Sequence, residues 1–500
     1  MRPGRRWARM VVAAAAAAAL CPSAALAAAG LEVGIEDERL LLDDPVAAPA
    51  AVAAWRDLGV EVVRVHARWN RLAPRPTARR RPAGFSAADP GDPRYDWTEL
   101  DRAVALLRGA GLRVALTLTG PGPLWASRRP SLGDPRYKPD PRAYRAFAAA
   151  VARRYRGLIE RYLLWNEPNL PGWLSPQHAC SRPGRCTPVA PHLYRDLVRA
   201  AVPVLRAADP EAEIAIGELA PVGYRPRSNL TATPPLAFLR AFGCVDRRFR
   251  PLRDGACRGF RPASADALGH HGHGIRQAPD QPSRERDWAK LGDLPQLERT
   301  LDRLTRRGRI RAPNRRLDVH ITEFGHQTSP PDHATGITLE RQASWLQQAS
   351  YIAWRDPRVR SITFYQWHDE PVRYRGPGDL AYAGWQSGLH FVDGSPKPAL
   401  AGFVAPLVLD RRGGGFVRAW GQVRPGGRHV VTLEQQSDGG PFVALESIPT
   451  DERGYWALTI PAARGDGLRV SWRPPDAAGT VRYSGTAVVG GEGGRLSAGR

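Results

Sequence analysis

Residues 97–119 have the sequence WTELDRAVALLRGAGLRVALTLT, which passes from a helical pattern to a strand pattern. Its first half carries apolar residues at steps of three and four, the spacing of an amphipathic helix: Leu100, Val104 and Leu107. Gly111 then ends the helical pattern. The apolar run 112–119 has the composition of a buried strand. The stretch predicts a helix joined by a short turn to a strand inside the protein.

The same alternation continues from Leu31 to about Leu409. Eight strands are predicted, at 31–35, 61–66, 112–119, 161–166, 213–218, 265–270, 317–323 and 359–367. Helical runs lie between them at 97–107, 144–155, 193–205, 294–304 and 339–354. Strands that alternate with helices pair in parallel through right-handed crossovers. Eight such units predict an α/β fold, a closed (β/α)8 TIM barrel over residues 28–409, with a doubly wound open sheet as the alternative.

The composition changes after the barrel, and residues 410–500 are predicted to form a small β-sandwich-like domain. Residues 411–415, RRGGG, have the composition of a linker. Short alternating strands follow, separated by glycine, proline and aspartate: 429–434, 455–460 and 468–472. Three tryptophans of this region either fill its core, which we favour, or form a platform for sugar stacking: Trp420, Trp456 and Trp472.

Composition excludes a disordered chain, because 43% of the 500 residues are hydrophobic. Basic residues outnumber acidic ones by 72 to 49, and they are spread along the whole chain. Such a distribution differs from the concentrated stripe of a nucleic-acid-binding protein, so no nucleic acid partner is expected. A monomer is predicted.

The first 27 residues have the pattern of a secretory signal peptide. Four arginines precede the apolar run 10–20, and the small residues Ala25 and Ala27 suit a signal peptidase. This run is too short to cross a membrane, which takes about 20 residues. A secreted protein cleaved near Ala27, without a membrane span, is therefore expected.

The remaining cysteines are even in number: Cys180, Cys186, Cys244 and Cys257. Three disulfide pairings are possible. Pairing Cys180 with Cys186, and Cys244 with Cys257, is favoured because each bond would close a local loop in an oxidising compartment. Free thiols or a zinc site are the alternatives.

Two of the predicted strands end in a glutamate. Residues 163–169, LLWNEPN, place Glu167 before Pro168, which stops the strand ladder at the rim of the barrel. Residues 319–325, VHITEFG, place Glu323 at the same rim. Two carboxyl groups across a cleft can cleave a glycosidic bond, one protonating the leaving oxygen and the other attacking or directing water. The structural alternative is two rim carboxylates in ion pairs.

The segments 165–169, WNEPN, and 321–325, ITEFG, together resemble clan A of the glycoside hydrolases, which includes the cellulase-like families 5 and 39. The resemblance covers residues 31–409. It implies that Glu167 is the general acid/base, that Glu323 is the nucleophile and that Asn166 binds the sugar 2-hydroxyl. It implies no cofactor and no metal.

Other strand ends resemble further family positions. Arg64 matches an arginine that contacts the nucleophile and would keep Glu323 ionised, with a structural salt bridge as its alternative. Trp367 matches the aromatic floor under the sugar. His271 matches a family histidine, and His273 stands where the family has tyrosine. A metal site at the histidines of residues 270–273 is the less favoured interpretation, because no carboxylate or cysteine lies at ligand spacing.

Further aromatic residues follow the strands and either line sugar subsites or pack in the interior: Trp69, Trp125, Trp173 and Trp385. The acidic residues Glu218, Asp369 and Glu370 are expected to be solvated at the rim. The whole pattern predicts a secreted, retaining hydrolase of a β-linked oligo- or polysaccharide. A transglycosidase, a non-catalytic glycan-binding protein and a basic cell-surface adhesin are the alternatives.

Overall fold

The computed structural model describes residues 30–372, 384–474 and 479–491 of the chain. The predicted signal peptide and its cleavage point lie outside these residues. Eight parallel strands close into a barrel in which spatial neighbours follow chain order, as predicted. They are β1 (Glu32–Glu36), β2 (Val62–Arg68), β3 (Arg113–Thr119), β4 (Arg161–Leu164), β5 (Glu213–Leu219), β6 (Ala267–His271), β7 (Asp318–Phe324) and β8 (Val359–Tyr365).

One main helix follows each strand and covers the outside of the barrel. These helices are α1 (Ala48–Asp57), α2 (Thr98–Gly109), α3 (Pro141–Arg154), α4 (Ala190–Ala208), α5 (Pro235–Phe242), α6 (Leu294–Arg306), α7 (Leu339–Arg355) and α8 (Pro398–Val404). Asp140 shows how the sequence starts one of them: its side chain accepts hydrogen bonds from two backbone N–H groups of α3, and Pro141 occupies the first helical position. The predicted (β/α)8 barrel is confirmed.

Shorter elements lie in the connections. They are a π-helical turn (Arg39–Asp43), a one-turn α-helix (Trp69–Leu72), 3-10 turns (Leu124–Ala126, Pro130–Leu132, Gly255–Cys257, Leu291–Asp293 and Pro313–Arg315) and the short strands His178–Arg182, Arg185–Pro188, Ala263–Ser264 and Ile310–Arg311.

The inside of the barrel is layered. Five small or branched side chains from five adjacent strands form a separate buried cluster: Val62, Ala115, Leu163, Ala215 and Ala267. Side chains alternate along a strand, so Val62, Arg64 and His66 of β2 point to the same side. An apolar layer therefore closes the barrel below the polar groups at its carboxyl end.

The chain then forms antiparallel strands. They are β9 (Leu407–Arg411), β10 (Phe416–Gln422), β11 (Val430–Gln436), β12 (Val443–Pro449), β13 (Tyr455–Pro461) and β14 (Gly467–Trp472). One sheet has the order β9-β10-β13, and the other contains β12-β11-β14 with the short strands Arg482–Tyr483 and Ala487–Val488 beside β14.

The tail differs from its sequence prediction in one respect. Residues 411–415 do not form a linker, because they lie at the turn of the hairpin β9–β10, where Gly414 and Gly415 have φ of 70° and 78°. The three tryptophans of the tail are buried, with at most 3% of their surface exposed. One of them, Trp420, lies 5.4 Å from Trp354 of α7, measured between ring centroids, and so packs the tail against the barrel.

Both favoured disulfides are present. Cys180 and Cys186 join the hairpin that follows β4, and Cys244 and Cys257 close the loop that follows α5. Across the described residues, no helix has both the length and the apolar surface required to span a bilayer.

Candidate active site

Arg64 lies at the centre of the carboxyl end of the barrel, with 1% of its surface exposed. Its Nε donates to Glu218 Oε1 at 2.7 Å, and its Nη1 donates to Glu323 Oε1 at 2.8 Å and to Glu36. Its Nη2 donates to Asn166 Oδ1 at 2.7 Å. One guanidinium therefore holds three carboxyl groups and one amide from four different strand ends, and fixes their orientation.

Glu323, at the end of β7, accepts hydrogen bonds on both oxygens. Besides Arg64, it contacts His273 Nε2 through Oε2 at 3.2 Å, and His271 Nε2 lies 3.3 Å from its Oε1. Burial would raise the pKa of Glu323, but His271, Arg64 and His273 outweigh burial and hold its pKa well below its usual range. Glu323 is thus ionised at neutral pH.

His273 has two acceptors as neighbours. Its Nδ1 lies 3.1 Å from the carbonyl oxygen of Gly325, and its Nε2 faces the carboxylate of Glu323. A carbonyl and a carboxylate only accept hydrogen bonds, so these two neighbours favour the doubly protonated, positively charged form of the ring. Burial lowers the pKa of His273, but the hydrogen bond and the charge of Glu323 overcome this and raise it. Where the family resemblance has a neutral tyrosine, this chain has a histidine whose neighbours favour its positively charged form.

Glu167 follows β4 in a different setting. Its Oε1 lies 3.1 Å from His271 Nδ1, its Oε2 accepts from Trp173 Nε1 at 3.1 Å, and 18% of its side chain is exposed. Burial, followed by the negative charge of Glu323, raises the pKa of Glu167 to about 8. Its φ of 39° lies in the left-handed region that non-glycine residues rarely adopt, a local strain of about 1 kcal/mol or more. Because its pKa lies above 7, Glu167 is protonated at neutral pH.

His271 separates the two glutamates. It is fully buried, with Nδ1 toward Glu167 and Nε2 toward Glu323. Burial lowers its pKa to about 3, so the ring is neutral and carries a single N–H. A protonated Glu167 can donate to Nδ1, which leaves the ring proton on Nε2; this nitrogen lies 3.3 Å from Glu323 Oε1 without forming a hydrogen bond to it. One imidazole ring thus lies between a carboxylic acid and a carboxylate.

The aromatic residue at the end of β8 is Tyr365. It is half-buried, and its ring lies 6.3 Å from the ring of His273. Trp385 stacks on His273 at 5.4 Å, contacts the ring of Tyr365 at 5.7 Å and has 39% of its surface exposed. Trp367, predicted as the aromatic floor, is buried and packs against Trp55 of α1 at 6.2 Å. Tyr365 and Trp385, rather than Trp367, lie beside the glutamates because β8 ends two residues before Trp367.

Of the other predicted tryptophans, one contacts the site and two pack away from it. Trp173 reaches Glu167, whereas Trp69 is 1% exposed and stacks on Phe147 of α3 at 5.4 Å. Trp125 lies edge-on to Trp69 at 6.5 Å and donates its indole N–H to the carbonyl oxygen of residue 74. Trp69 and Trp125 therefore pack with the layer between β2 and α3.

Sequence reasoning missed a second acidic group, Glu36 and Glu38, at the end of β1. Glu36 is 1% exposed, and burial together with the charge of Glu323 raises its pKa despite the contact with Arg64. Burial also raises the pKa of Glu38, but His66 and Arg68 lower it to about 2. The signal was present in the sequence, since the acidic run EDE at 36–38 directly follows the predicted strand 31–35. Glu218, expected to be solvated at the rim, is instead fully buried.

The ligand atoms of His271, His273 and Glu323 lie within 4.8 Å of one another, close enough to hold a metal ion. Both nitrogens of His273 face hydrogen-bond acceptors, the carbonyl oxygen of Gly325 and the carboxylate of Glu323. A second group, His192 with Cys244 and Cys257, includes two disulfide-bonded sulfurs. The expectation of a metal-free site stays a prediction that treatment with a chelator tests.

The comparisons with known proteins found no matching family model and no matching curated protein. Solved structures with a similar fold include glycoside hydrolases. A glucosidase from Croceicoccus marinus is 13% identical, with a TM-score of 0.49 over 87% of this chain and 94% of its own. A GH10 endoxylanase from a sugarcane soil metagenome is 15% identical, with a TM-score of 0.41 over 74% and 94%. A GH5_18 protein from Streptomyces cattleya, in complex with Manb1-4GlcNAc, is 17% identical, with a TM-score of 0.44 over 74% and 78%. These similarities are low, and the function proposed below rests on the site itself.

Proposed function

We propose that this protein is a secreted, retaining glycoside hydrolase that cleaves a β-linked glycan by double displacement. The observation that carries the proposal is the unequal setting of two carboxyl groups on either side of His271: burial and the charge of Glu323 raise the pKa of Glu167, whereas contacts with His271, Arg64 and His273 lower the pKa of Glu323. A retaining glycosidase needs an acid and a nucleophile in this relation. A non-catalytic glycan-binding protein does not require one protonated and one ionised carboxyl group.

In the first step, the carboxylate of Glu323 attacks the anomeric carbon. The bond to the leaving oxygen breaks, and Glu167 gives its proton to that oxygen. The products of this step are a glycosyl ester on Glu323 and a free alcohol. In the second step, water attacks the same carbon, Glu167 takes a proton from that water, and Glu323 leaves as a carboxylate.

The surrounding residues favour the charged states that this cycle requires. Arg64 and His273 stabilise the carboxylate of Glu323, and therefore help it to leave the ester in the second step. Arg64 also holds the carbonyl oxygen of Asn166, so the amide presents its NH2 group as the donor for a sugar hydroxyl. Trp385 offers an exposed ring beside His273 for stacking on a sugar.

Secretion is part of the same proposal. Two disulfides and the absence of a membrane-spanning helix in the described residues are compatible with an extracellular protein. The glycan is left to experiment, with β-glucan, xylan and mannan as the first substrates to assay.

The stereochemistry of the product tests the mechanism. Hydrolysis followed by proton NMR is expected to release the β-anomer first, and a 2-deoxy-2-fluoro glycoside is expected to label the peptide that contains Glu323. Retention corresponds to a separation of about 5 to 5.5 Å between the two carboxyl groups, and inversion to about 6.5 to 9.5 Å. Initial release of the α-anomer, or label on another residue, would contradict the proposal. A product longer than the substrate would instead identify a transglycosidase.

A further inference from the structure

The segment 245–262, which we call the arginine loop, joins α5 to the short strand Ala263–Ser264. It contains six arginines in 18 residues, whereas the whole chain has 72 basic residues in 500. These are Arg247, Arg248, Arg250, Arg253, Arg258 and Arg261. The proportion of basic residues in the loop is thus more than twice that of the whole chain. The general abundance of arginine does not account for this local excess.

The positive charge of the arginine loop is largely uncompensated. Its six arginines are all exposed. Of its two acidic residues, Asp246 is engaged by Arg250 at 2.8 Å. The other arginines of the loop form no ion pair with a described residue. The bond between Cys244 and Cys257 closes the loop on the barrel and presents these charges from a constrained backbone.

A groove lies on each side of the arginine loop. One, of about 450 Å³, runs along α5 and α6 and is lined by six arginines, including Arg247 and Arg248. Its one carboxylate, Asp287, is already paired with Arg240 at 2.7 Å. The other, of about 530 Å³, is lined by three arginines and no acidic residue, and Arg261 belongs to it.

The arginine loop lies away from the glutamates. It connects the end of α5 to the start of β6, and connections of this kind lie at the amino-terminal face of a barrel. Glu167 and Glu323 lie at the opposite, carboxyl-terminal face. A ligand on the loop and a ligand in the active site can therefore be bound at the same time.

We propose that the arginine loop and its two grooves bind a polyanionic polysaccharide, one that carries carboxylate or sulfate groups along its length. Guanidinium groups bind such oxyanions through paired hydrogen bonds. The charges extend over two grooves, which suits a polymer better than a small anion. This surface lies outside the catalytic site, and its binding does not depend on the hydrolase activity proposed above.

The aromatic residues of the loop favour a polysaccharide over a single-stranded nucleic acid. Nucleic-acid surfaces of that kind stack bases on free aromatic rings. Here Arg309 covers Phe260 at 3.6 Å, and Arg303 covers Phe249 at 5.0 Å, measured from guanidinium carbon to ring centroid. The surface offers charge without an open stacking platform.

Binding of the full chain to heparin and to polygalacturonate tests the proposal, with dextran as the neutral polymer. We expect binding to both polyanions that weakens steeply with salt, and none to dextran. Changing Arg247, Arg248, Arg258 and Arg261 together to glutamine should weaken binding at least about tenfold, because the polyanion then releases fewer counterions when it binds. The same four positions changed to lysine keep the charge but lose the paired hydrogen bonds, so binding should weaken less than in the glutamine variant.

The matched control removes the same charge from four exposed arginines elsewhere, Arg79, Arg80, Arg108 and Arg145. Equal weakening in this control would show that net charge alone is responsible and would overturn the proposal, as would the absence of polyanion binding by the unchanged chain. Tighter binding to duplex DNA than to either polyanion would overturn the polysaccharide assignment. Glu323→Gln should leave binding intact; if it abolishes binding, the polymer occupies the active site and not the arginine loop.

Discussion

Glu167→Gln is expected to reduce catalysis and at the same time to stabilise the fold at alkaline pH. The carboxyl group of Glu167 has an ordinary pKa of 4.5, and burial together with the charge of Glu323 raises it to about 8 in the native protein. Glutamine has nearly the same shape and carries no ionisable proton. The substitution therefore removes an acid that the native structure keeps protonated against its solution tendency.

The direction of the stability effect follows from which state holds the proton. Below about pH 4.5 both the folded and the unfolded chain are protonated at this position, and the pKa shift contributes nothing. Between about pH 4.5 and 8 the unfolded chain releases the proton and the folded chain keeps it, so the free energy of unfolding falls as pH rises. Above about pH 8 the folded chain holds a buried carboxylate and the whole penalty is present.

The size of the effect can be estimated. At about 1.4 kcal/mol per pKa unit, a rise from 4.5 to about 8 corresponds to a ceiling of about 5 kcal/mol. For a chain of this length, 1 kcal/mol changes Tm by about 1 °C. We therefore expect Glu167→Gln to raise Tm by about 2 to 5 °C at pH 9 relative to the unchanged chain, and by almost nothing at pH 4.

Whereas Glu167→Gln should raise Tm at alkaline pH, it should lower the catalytic rate. Loss of a general acid costs about 10² to 10⁴ in rate, and the loss is greatest for substrates with poor leaving groups. Aryl glycosides with good leaving groups should be affected less in the first step, and azide should restore part of their turnover by replacing water in the second step.

Differential scanning fluorimetry at pH 4, 7 and 9 and kinetics on two leaving groups measure both effects in one variant. Glu446→Gln, at an exposed position of β12, is the matched control and should change neither. If Glu167→Gln had the same Tm difference at every pH, Glu167 would not be the protonated carboxyl group. Equal loss of rate for substrates with good and poor leaving groups would show that Glu167 is not the general acid.

Three further predictions concern the neighbours of the two glutamates. Arg64→Met should destabilise the protein by about 3 to 5 kcal/mol at pH 8, measured by denaturant unfolding, because it leaves buried carboxylates unpaired; the loss should shrink at pH 5, where they take up protons. His273→Tyr keeps a donor for Glu323 but removes a positive charge, so the pKa of Glu323 should rise and move the acidic limb of the kcat/KM profile to higher pH; an unchanged limb would show that His273 is neutral. Trp385→Ala should raise KM about threefold to tenfold with little change in kcat, and Phe416→Ala, exposed in the tail, should change neither.

The barrel was predictable from the sequence because its signal is repeated. All eight predicted strands form, and their bounds move by at most about two residues. At β4 the ladder stops at Leu164, since Trp165 turns the backbone with φ of 68°, before Pro168 could stop it. Three helices had no usable pattern. Half of helix α1 is alanine, which offers little contrast between faces, while α5 and α8 have eight and seven residues, too few to show a helical period.

Site residues that end a predicted strand were predictable from the sequence. Site residues whose position depends on the residue at which the strand ends and the loop begins were not. Glu167, Glu323, Arg64 and both histidines of β6 and its following loop are brought together, since parallel strand ends meet at one face. The aromatic position was not, because the end of β8 decides whether Tyr365 or a later residue faces the glutamates. Glu36 contacts Arg64 across the neighbouring strands β1 and β2, and it was missed because the first predicted strand ended at residue 35, one residue before it.

The roles of the two glutamates follow from their cationic contacts. Glu323 contacts His271, the guanidinium of Arg64 and the ring of His273, and together these overcome the cost of burying its charge. Glu167 contacts only neutral groups, the ring of His271, to which its acid form can donate, and the indole of Trp173, which donates to it.

His271 and His273 lie two residues apart on the same chain segment, yet their surroundings favour different charge states, neutral for His271 and positive for His273. His273 faces two acceptors, which favour two protons on its ring, whereas His271 is buried against an acid that can itself donate. A tyrosine at position 273 would still donate to Glu323 but would leave Arg64 as the one cation touching it. Histidine at this position therefore widens the pKa gap between the two glutamates, and with it the pH range over which one is an acid and the other a nucleophile.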